Sequence, residues 1–243
     1  MSGPPGTVDV VDDVPSAFAQ TIITAYAARP GPRFVLALSG GPTARHCYEH
    51  LARAGAGHID WSSVDIYMGD ERCVAPDDAD ANQRLVREAL IDPVAGVGSF
   101  HPMSCDDGAE AYERLVTEVA AFDVAHLGMG PDGHTASLFP GSAALEALPG
   151  TLVMKSVDPN DRNPHERMTL TLEALTRASL AVFTVSGAEK HEAFAAISAG
   201  ADLPAARVRA RQIVWLVDPA AAGRVGPAPG AAPTSTDPAE GDG

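Results

Sequence analysis

Short apolar runs alternate with helical patterns along most of the chain. Most of these runs are nearly uninterrupted, which predicts strands buried on both faces of a parallel sheet. The predicted strands cover residues 33–38, 64–68, 122–127, 151–157, 180–185 and 213–217. Helical patterns lie at residues 15–28, 44–54, 82–91 and 107–121, with shorter helices after residues 171 and 190. This alternation predicts one doubly wound α/β domain, with a mainly parallel sheet and helices on both faces.

Polar residues cluster directly after four of the predicted strands. The clusters lie at residues 39–43, 70–72, 128–134 and 186–190. Because the carboxyl ends of parallel strands share one edge of the sheet, these clusters can converge on one cleft. This convergence favours an active site over four unrelated turns.

The most distinctive cluster follows the strand at residues 122–127. Its loop contains four glycines, at positions 128, 130, 133 and 141, and between them an acid and a base, Asp132 and His134. Glycine tolerates positive φ and lets a ligand approach the backbone closely. The pattern predicts a catalytic loop; the alternative interpretation is an ordinary turn with a solvated histidine.

A second glycine turn, Ser39-Gly40-Gly41, lies between a predicted strand and a predicted helix. This arrangement directs free backbone N–H groups and the positive end of the helix dipole at an anion such as phosphate. Neither a P-loop lysine nor a GxGxxG pattern is present. Pro42 follows the turn and has no N–H group, so it either removes one donor from the phosphate site or simply begins the helix.

The composition is that of a soluble globular chain of 243 residues with a formal net charge of −15. This charge argues against nucleic acid or an anionic membrane as a partner, and no apolar run approaches the ~18 residues that cross a bilayer. The N-terminus lacks the features of a signal peptide. Cys47, Cys73 and Cys105 are odd in number and widely spaced, which argues against a zinc site or a disulfide framework and suits a reducing compartment. We therefore expect a cytoplasmic protein.

The C-terminal stretch differs in composition from the rest of the chain. Residues 220–243 are mostly Ala, Pro, Gly, Ser, Thr and acidic residues. Such a segment buries too little apolar surface to offset the entropy of ordering. We expect one domain over residues 1–219 and a disordered tail over residues 220–243.

Five segments taken together resemble the 6-phosphogluconolactonase family. They are ALSGGPT, GDERCVAPDDADAN, LGMGPDGHTASLFPGS, RMTLTLEAL and SGAEKHEAF, which occur in the family's order between about residues 34 and 217. The resemblance implies a cytosolic hydrolase, without a metal or other cofactor, in the oxidative pentose phosphate pathway. Its substrate would be 6-phospho-D-glucono-1,5-lactone and its product 6-phosphogluconate. It also implies a Rossmann-like fold shared with glucosamine-6-phosphate deaminases.

The reaction requires a base that deprotonates water as it attacks the lactone carbonyl. Histidine titrates near ~6.5 and suits this task, and in the lactonases that the chain resembles the histidine matching His134 is the proposed base. Asp132 or Asp70 would orient its ring. Cations and backbone donors would hold the phosphate and offset charge on the carbonyl oxygen: Arg72, Arg167, Lys190 and the turn formed by Ser39, Gly40 and Gly41.

Two other functions remain open from the sequence. The deaminase/isomerase branch of the same fold carries an acid where Phe139 stands, and Phe139 cannot move protons. A non-catalytic sugar-phosphate sensor would keep the phosphate site without needing His134, but no DNA-binding region is evident. His165 is a possible further substrate contact. The expected partner is a small phosphosugar lactone, and the protein is expected to be a monomer or a small homo-oligomer.

Overall fold

The structure, a computed structural model, describes residues 3–94 and 96–224. Its centre is a sheet of seven strands in which all neighbours are parallel. The strands are β1 (Thr7–Val10), β2 (Phe34–Leu38), β3 (Val64–Met68), β5 (Ser99–His101), β6 (Phe122–Gly128), β9 (Ala178–Val185) and β10 (Gln212–Val217). They are ordered β1-β10-β9-β6-β2-β3-β5. The expected α/β fold with a mainly parallel sheet is confirmed.

Helices cover both faces of this sheet. They are α1 (Val14–Ala27), α2 (Pro42–Ala54), α3 (Asn82–Val86), α4 (Ala109–Glu118), α5 (Leu172–Thr176), α6 (His191–Ser198) and α7 (Pro204–Arg207), and α3 continues as one π-helical turn, Arg87–Ile91. The crossovers through α1, α2 and α3 step toward β5, whereas those through α4 and α6 step toward β1. Because such crossovers are right-handed, the two sets of helices lie on opposite faces.

A small antiparallel sheet, which the sequence did not predict, lies beside the main one. It consists of β4 (Asp70–Arg72), β7 (Val153–Ser156) and β8 (Arg167–Leu170), in the order β4-β8-β7. Gly69 joins the two sheets, since its N–H donates to Leu38 at 2.7 Å and its carbonyl accepts from Leu170 at 2.8 Å. The polar segment that was expected simply to follow β3 therefore becomes a strand of its own.

The apolar runs of the central strands fill the core as expected. Phe34, Leu36 and Leu38 of β2 are fully buried, and the rings of Phe183 and Trp215 stack at 3.9 Å. The two strands of the main sheet that the sequence analysis missed, β1 and β5, lie at its edges. Both are short, and neither carries the uninterrupted apolar run that marks a central strand.

One pair of cysteines corrects the expectation drawn from their spacing. Cys73 and Cys105 form a disulfide, with Cα atoms 5.4 Å apart and a sequence separation of 32. The end of β4 and the segment after β5 meet only in the folded chain, so the spacing could not reveal the pair. Cys47 is free and buried, and burial raises the pKa of its thiol to about 12.

The first residues of the expected tail pack on the domain. Residues 220–224 form a turn in which Ala221 is fully buried. The carbonyl oxygen of Ala221 lies 3.1 Å from Nδ1 of His191 in α6, and the N–H of Arg224 donates to Pro219 at 2.8 Å. The remainder of the expected tail, residues 225–243, lies outside the described residues.

A pair of truncations tests whether this turn belongs to the domain. Ending the chain after Pro219 removes the buried Ala221 and leaves His191 without its carbonyl partner, whereas ending it after Arg224 keeps both. We expect the shorter protein to melt about 2–4 °C lower, the shift that a loss of about 1 kcal/mol produces in a domain of this size. The longer one should melt as the full chain does. Equal melting temperatures for the two truncations, followed by circular dichroism, would contradict this.

Candidate active site

The cleft lies where the crossovers change direction, between β2 and β6. In an open parallel sheet the loops that leave two such strands diverge, and a crevice opens between them. Here the crevice has a volume of about 340 Å³. All but one of the site residues expected from the sequence line it: Ser39, Gly40, Gly41, Asp70, Arg72, His134, Arg167 and Lys190. The exception is Asp132, which lies behind His134.

The turn after β2 supplies the start of α2. Gly41 has a φ of +105° and is the N-cap residue, and Pro42 is the first residue of the helix. Proline is well suited to this position, because the N–H that it lacks has no partner inside the helix. Of the two interpretations of Pro42, the structure therefore supports the helix start. The N–H groups of Thr43 and Ala44 follow in the same first turn and face no earlier carbonyl of the helix.

Asp132 and His134 form a hydrogen-bonded pair in the loop after β6. The carboxylate oxygen Oδ1 lies 2.6 Å from Nδ1 of the ring and also accepts the backbone N–H of His134 at 3.1 Å. Burial alone would raise the pKa of Asp132, but the hydrogen bond and the charge of His134 lower it to about 2. Asp132 is therefore ionised at neutral pH. It accepts the Nδ1 proton and leaves Nε2 as the ring nitrogen available to the cleft.

Glycine is required beside this pair. A Cβ on Gly130 would collide with the ring of His134 and with the carboxylate of Asp132. Gly133, between the two, has a φ of +79°, a conformation that favours glycine. The glycines that made the loop distinctive in the sequence thus allow the acid and the base to meet across a two-residue separation.

The second candidate for orienting the histidine, Asp70, is held elsewhere. Its Oδ2 accepts the hydroxyl of Ser137 at 2.8 Å. Its Oδ1 is buried and has no hydrogen-bond partner among the described residues. The geometry thus assigns Asp132 as the carboxylate that orients His134, and Asp70 keeps one oxygen free to accept a hydrogen bond.

Arg72 and Arg167 occupy opposite positions of β4 and β8. Nη1 of Arg72 donates to the carbonyl oxygen of Asp80 at 2.9 Å and lies 3.7 Å from its carboxylate. Arg167 is only 5% exposed and donates to the carbonyl of His165 at 3.2 Å. Within the described chain it forms no ion pair, and burial, followed by the charge of Arg72, lowers its pKa. A guanidinium group left without a carboxylate is available to an oxygen of a ligand.

Lys190 approaches the cleft from a third strand end. It closes the 3₁₀ turn Ala188–Lys190, which follows β9 and leads directly into α6. Its side chain is half-buried and forms no ion pair within residues 3–94 and 96–224. Its ammonium group is therefore a second cation available to a ligand.

His165, a possible substrate contact, is engaged outside the cleft. Its Nε2 lies 3.0 Å from the carboxylate of Asp80, and it is not among the residues that line the cleft. It contacts site residues only from outside the cleft: its carbonyl accepts from Arg167 at 3.2 Å, and Asp80, which its ring contacts, also holds Arg72.

Sequence reasoning missed a buried carboxylate, Glu71, that holds the backbone beside the cleft in place. Glu71 is 1% exposed and accepts the backbone N–H groups of Arg72, Asn82 and Gln83, each at 2.7 Å. Asn82 in turn lines the cleft and donates to the carbonyl of Asp70 at 3.0 Å. The segment GDERCVAPDDADAN contains all of these residues except Gln83, which directly follows it, but a charged residue beside a strand normally predicts exposure.

Two absences can be stated for the part of the chain that the structure describes. It contains no group of three or more His, Cys, Asp or Glu arranged to hold a metal ion. It also contains no helix of the length and apolar character that spanning a bilayer requires.

Comparison with known proteins places the chain in a family. The family described as glucosamine-6-phosphate isomerases/6-phosphogluconolactonase matches residues 7–215. The chain belongs to this family. Its curated relatives include the 6-phosphogluconolactonase of Mycobacterium leprae (strain TN), 38% identical over 228 residues that cover 85% of this chain and 90% of that one. The 6-phosphogluconolactonase of Synechocystis sp. is 36% identical over 202 residues, with 75% and 81% covered.

Solved structures of the isomerase/lactonase family share the fold. A 6-phosphogluconolactonase from Leishmania guyanensis superimposes with a TM-score of 0.77 at 26% identity, covering 91% of this chain and 99% of that one. A monomeric glucosamine-6-phosphate deaminase has a TM-score of 0.75 at 18% identity, covering 90% and 100%. At that identity the likeness shows the fold alone, so the two branches must be separated by their residues.

Phe139 is the residue by which the sequence analysis distinguishes the two branches of the isomerase/lactonase family. Its ring is 1% exposed and lies 4.9 Å from the ring of His134, centroid to centroid. The deaminase branch is expected to carry an acid at this position. An apolar ring here forms one wall of the pocket around His134 and has no proton to give or take.

Proposed function

We propose that the chain is a 6-phosphogluconolactonase, a carboxylic ester hydrolase that opens 6-phospho-D-glucono-1,5-lactone to 6-phosphogluconate in the oxidative pentose phosphate pathway. The observation that carries this proposal is the His134–Asp132 pair at the wall of a cleft that also holds cations without carboxylate partners. Hydrolysis of a lactone requires a base and charge stabilisation, and binding of a phosphorylated one requires short-range cations. The membership of the family supports the same conclusion.

His134 is the general base in this proposal. Asp132 accepts the Nδ1 proton, so that Nε2 carries a lone pair and takes a proton from water as the water attacks the lactone carbonyl. The same nitrogen then returns the proton to the ring oxygen as the C–O bond breaks. The pair thereby completes one hydrolysis without any net change in its protonation.

Arg72 and Arg167 stabilise the charge that develops on the carbonyl oxygen. Donors that are fixed before the reaction stabilise such a charge without having to reorganise. Arg167 meets this condition because it is buried in β8, and Arg72 lies opposite it in β4. The free oxygen of Asp70 accepts a hydroxyl group of the sugar, a role in place of the ring-orienting one first considered.

The phosphate binds between the start of α2 and Lys190. Ser39, Gly40 and Gly41 shape the turn, the first N–H groups of α2 donate to the phosphate oxygens, and Lys190 supplies the charge. A phosphomonoester carries about −1.5 to −2 near neutral pH, and the chain carries −15. The long-range field therefore opposes approach, so affinity depends on these few contacts.

We further propose that the protein acts in the cytoplasm, as a monomer or a small homo-oligomer, with no nucleic-acid partner. The net charge of −15 supports the last point, because a surface of that sign repels a phosphate backbone.

The direct test is turnover by the purified chain. We expect 6-phosphogluconolactone to be opened faster than its spontaneous rate, with acid release followed at constant pH, and we expect the rate to be unchanged by a chelator. Ammonia release from glucosamine-6-phosphate would favour the deaminase branch, and binding of the lactone without turnover would favour a sensor. Activity lost to chelation and restored by a divalent ion would contradict the metal-free part.

Substitutions at the two aspartates test which one serves the base. His134→Asn and Asp132→Asn should each lower kcat by about 10²–10⁴-fold, the usual contribution of a general base or of its orientation, with little change in KM. Asp70→Asn is the matched control: it keeps the shape of the side chain, and we expect it to raise KM and to lower kcat far less. A larger kcat loss for Asp70→Asn than for Asp132→Asn would reverse the assignment. Melting temperatures of all three variants exclude unfolding as the cause.

Removal of Lys190 tests the phosphate site. A charge-assisted hydrogen bond contributes about 1.5–3 kcal/mol, so Lys190→Ala should weaken binding of the phosphorylated lactone roughly tenfold or more. The unphosphorylated lactone never used this contact and should be hydrolysed as before. Lys155→Ala is the control, because Lys155 is the only other lysine in the sequence and pairs with Glu166 at 3.5 Å. Equal losses on both lactones would assign Lys190 to the carbonyl or to the fold instead.

A further inference from the structure

The disulfide lies one residue from a cation of the proposed site. Cys73 directly follows Arg72, the last residue of β4, and its N–H donates to the carbonyl of Glu166 at 2.9 Å. Cys105 lies beyond the end of β5, in a separate part of the fold. Both cysteines are partly exposed, so small thiols in solution can reach the bond.

The bond fixes one end of an exposed loop. Residues 75–80 are all exposed, and Glu71 anchors the far end of the loop by accepting the N–H groups of Asn82 and Gln83. At the near end, Cys105 ties Cys73 to the segment after β5. When the disulfide is reduced, Cys73 keeps its backbone hydrogen bond to Glu166, and the loop keeps the contacts of Asp77 with Arg84 and of Asp80 with His165, but it loses its covalent tie to the segment after β5.

This loop carries the group that positions Arg72. Asp80 accepts the Arg72 guanidinium through its carbonyl and lies near it with its carboxylate. On its other side Arg72 faces the buried Arg167, whose like charge repels it. If the loop loosens, Arg72 loses its anionic partner and keeps its repulsive one, so that it moves away from the position in which it meets an anionic ligand.

We propose that Cys73 and Cys105 form a reversible thiol–disulfide site that controls the order of the loop at residues 73–81 and, through Asp80, the contact of Arg72 with substrate. The effect on substrate rests on the proposed function; the effect on the loop does not. A small-molecule disulfide closes the bond by exchange: one cysteine thiolate attacks it and releases one thiolate, and the other cysteine then displaces the second. The protein loses two protons and two electrons, and the small disulfide is reduced to two thiols. An excess of a small dithiol reverses the reaction.

Three measurements on the full-length chain test the site. After incubation with oxidised glutathione, the denatured protein should contain one free thiol, from Cys47, and three after reduction. Hydrogen exchange of amides at residues 73–81 should be faster in the reduced protein. The kcat for the phosphorylated lactone should fall about two- to fivefold on reduction, the size expected for one partly exposed ion pair, because Arg72 stabilises the charge on the carbonyl oxygen. KM should change little, because Lys190 and the start of α2, which bind the phosphate, lie on other loops.

Cys73→Ser and Cys105→Ser each remove the bond. Under oxidising conditions, hydrogen exchange and kinetic constants of both variants should equal those of the reduced wild type, and a change of redox state should not alter them. Reversal of the wild-type changes on reoxidation provides the same test without any substitution. Three thiols after oxidation, or equal exchange at residues 73–81 in both states, would overturn the proposal. Faster exchange with an unchanged kcat would overturn the control of Arg72. An absence of turnover in both states would instead refute the lactonase assignment. Thiol counts and hydrogen exchange would still test whether the disulfide controls the order of residues 73–81.

Discussion

The adjacency of β2 and β6 is the constraint on which the rest of the site depends. These parallel strands are neighbours in the sheet, but the chain leaves them in opposite directions, toward β3 on one side and toward β9 on the other. The loop after β2 leads directly into α2. The longer loop after β6 folds over the carboxyl edge of the sheet. The turn at Gly41 provides the helix start, and the loop at residues 129–141 contains the His134–Asp132 pair. Neither loop forms a cleft without the other.

The small antiparallel sheet completes the cleft by bringing cations to an acidic protein. Gly69 allows β4 to continue directly from β3, and the pairing of β4 with β8 then places Arg72 opposite Arg167. Two like charges in one sheet repel each other, so contacts with other groups must hold their side chains in place. Asp80 supports one of them through the exposed loop, and Glu71 holds that loop at its far end. A few contacts thus connect the exposed loop to a guanidinium group that lines the cleft.

The sequence was most informative where one local pattern sufficed. Continuous apolar runs located β2, β3, β6, β9 and β10, and the strand-loop-helix order at Ser39 and around His134 indicated the cleft. It was uninformative where contacts join distant segments. The spacing of Cys73 and Cys105 could not show that the segments after β4 and β5 meet in the folded chain, and only the folded loop shows that His134 meets Asp132 whereas Asp70 meets Ser137. Short edge strands such as β1 were missed because three or four residues carry too little periodicity.

A crystal structure with 6-phosphogluconate, the expected product, tests the account most directly. One carboxylate oxygen of the product, the one that water supplied, should lie about 3 Å from Nε2 of His134. The phosphate should accept hydrogen bonds of about 3 Å from Lys190 and the first N–H groups of α2. A phosphate bound beside His134, with the carboxylate at Lys190, would contradict the arrangement of base and anion site derived from the fold.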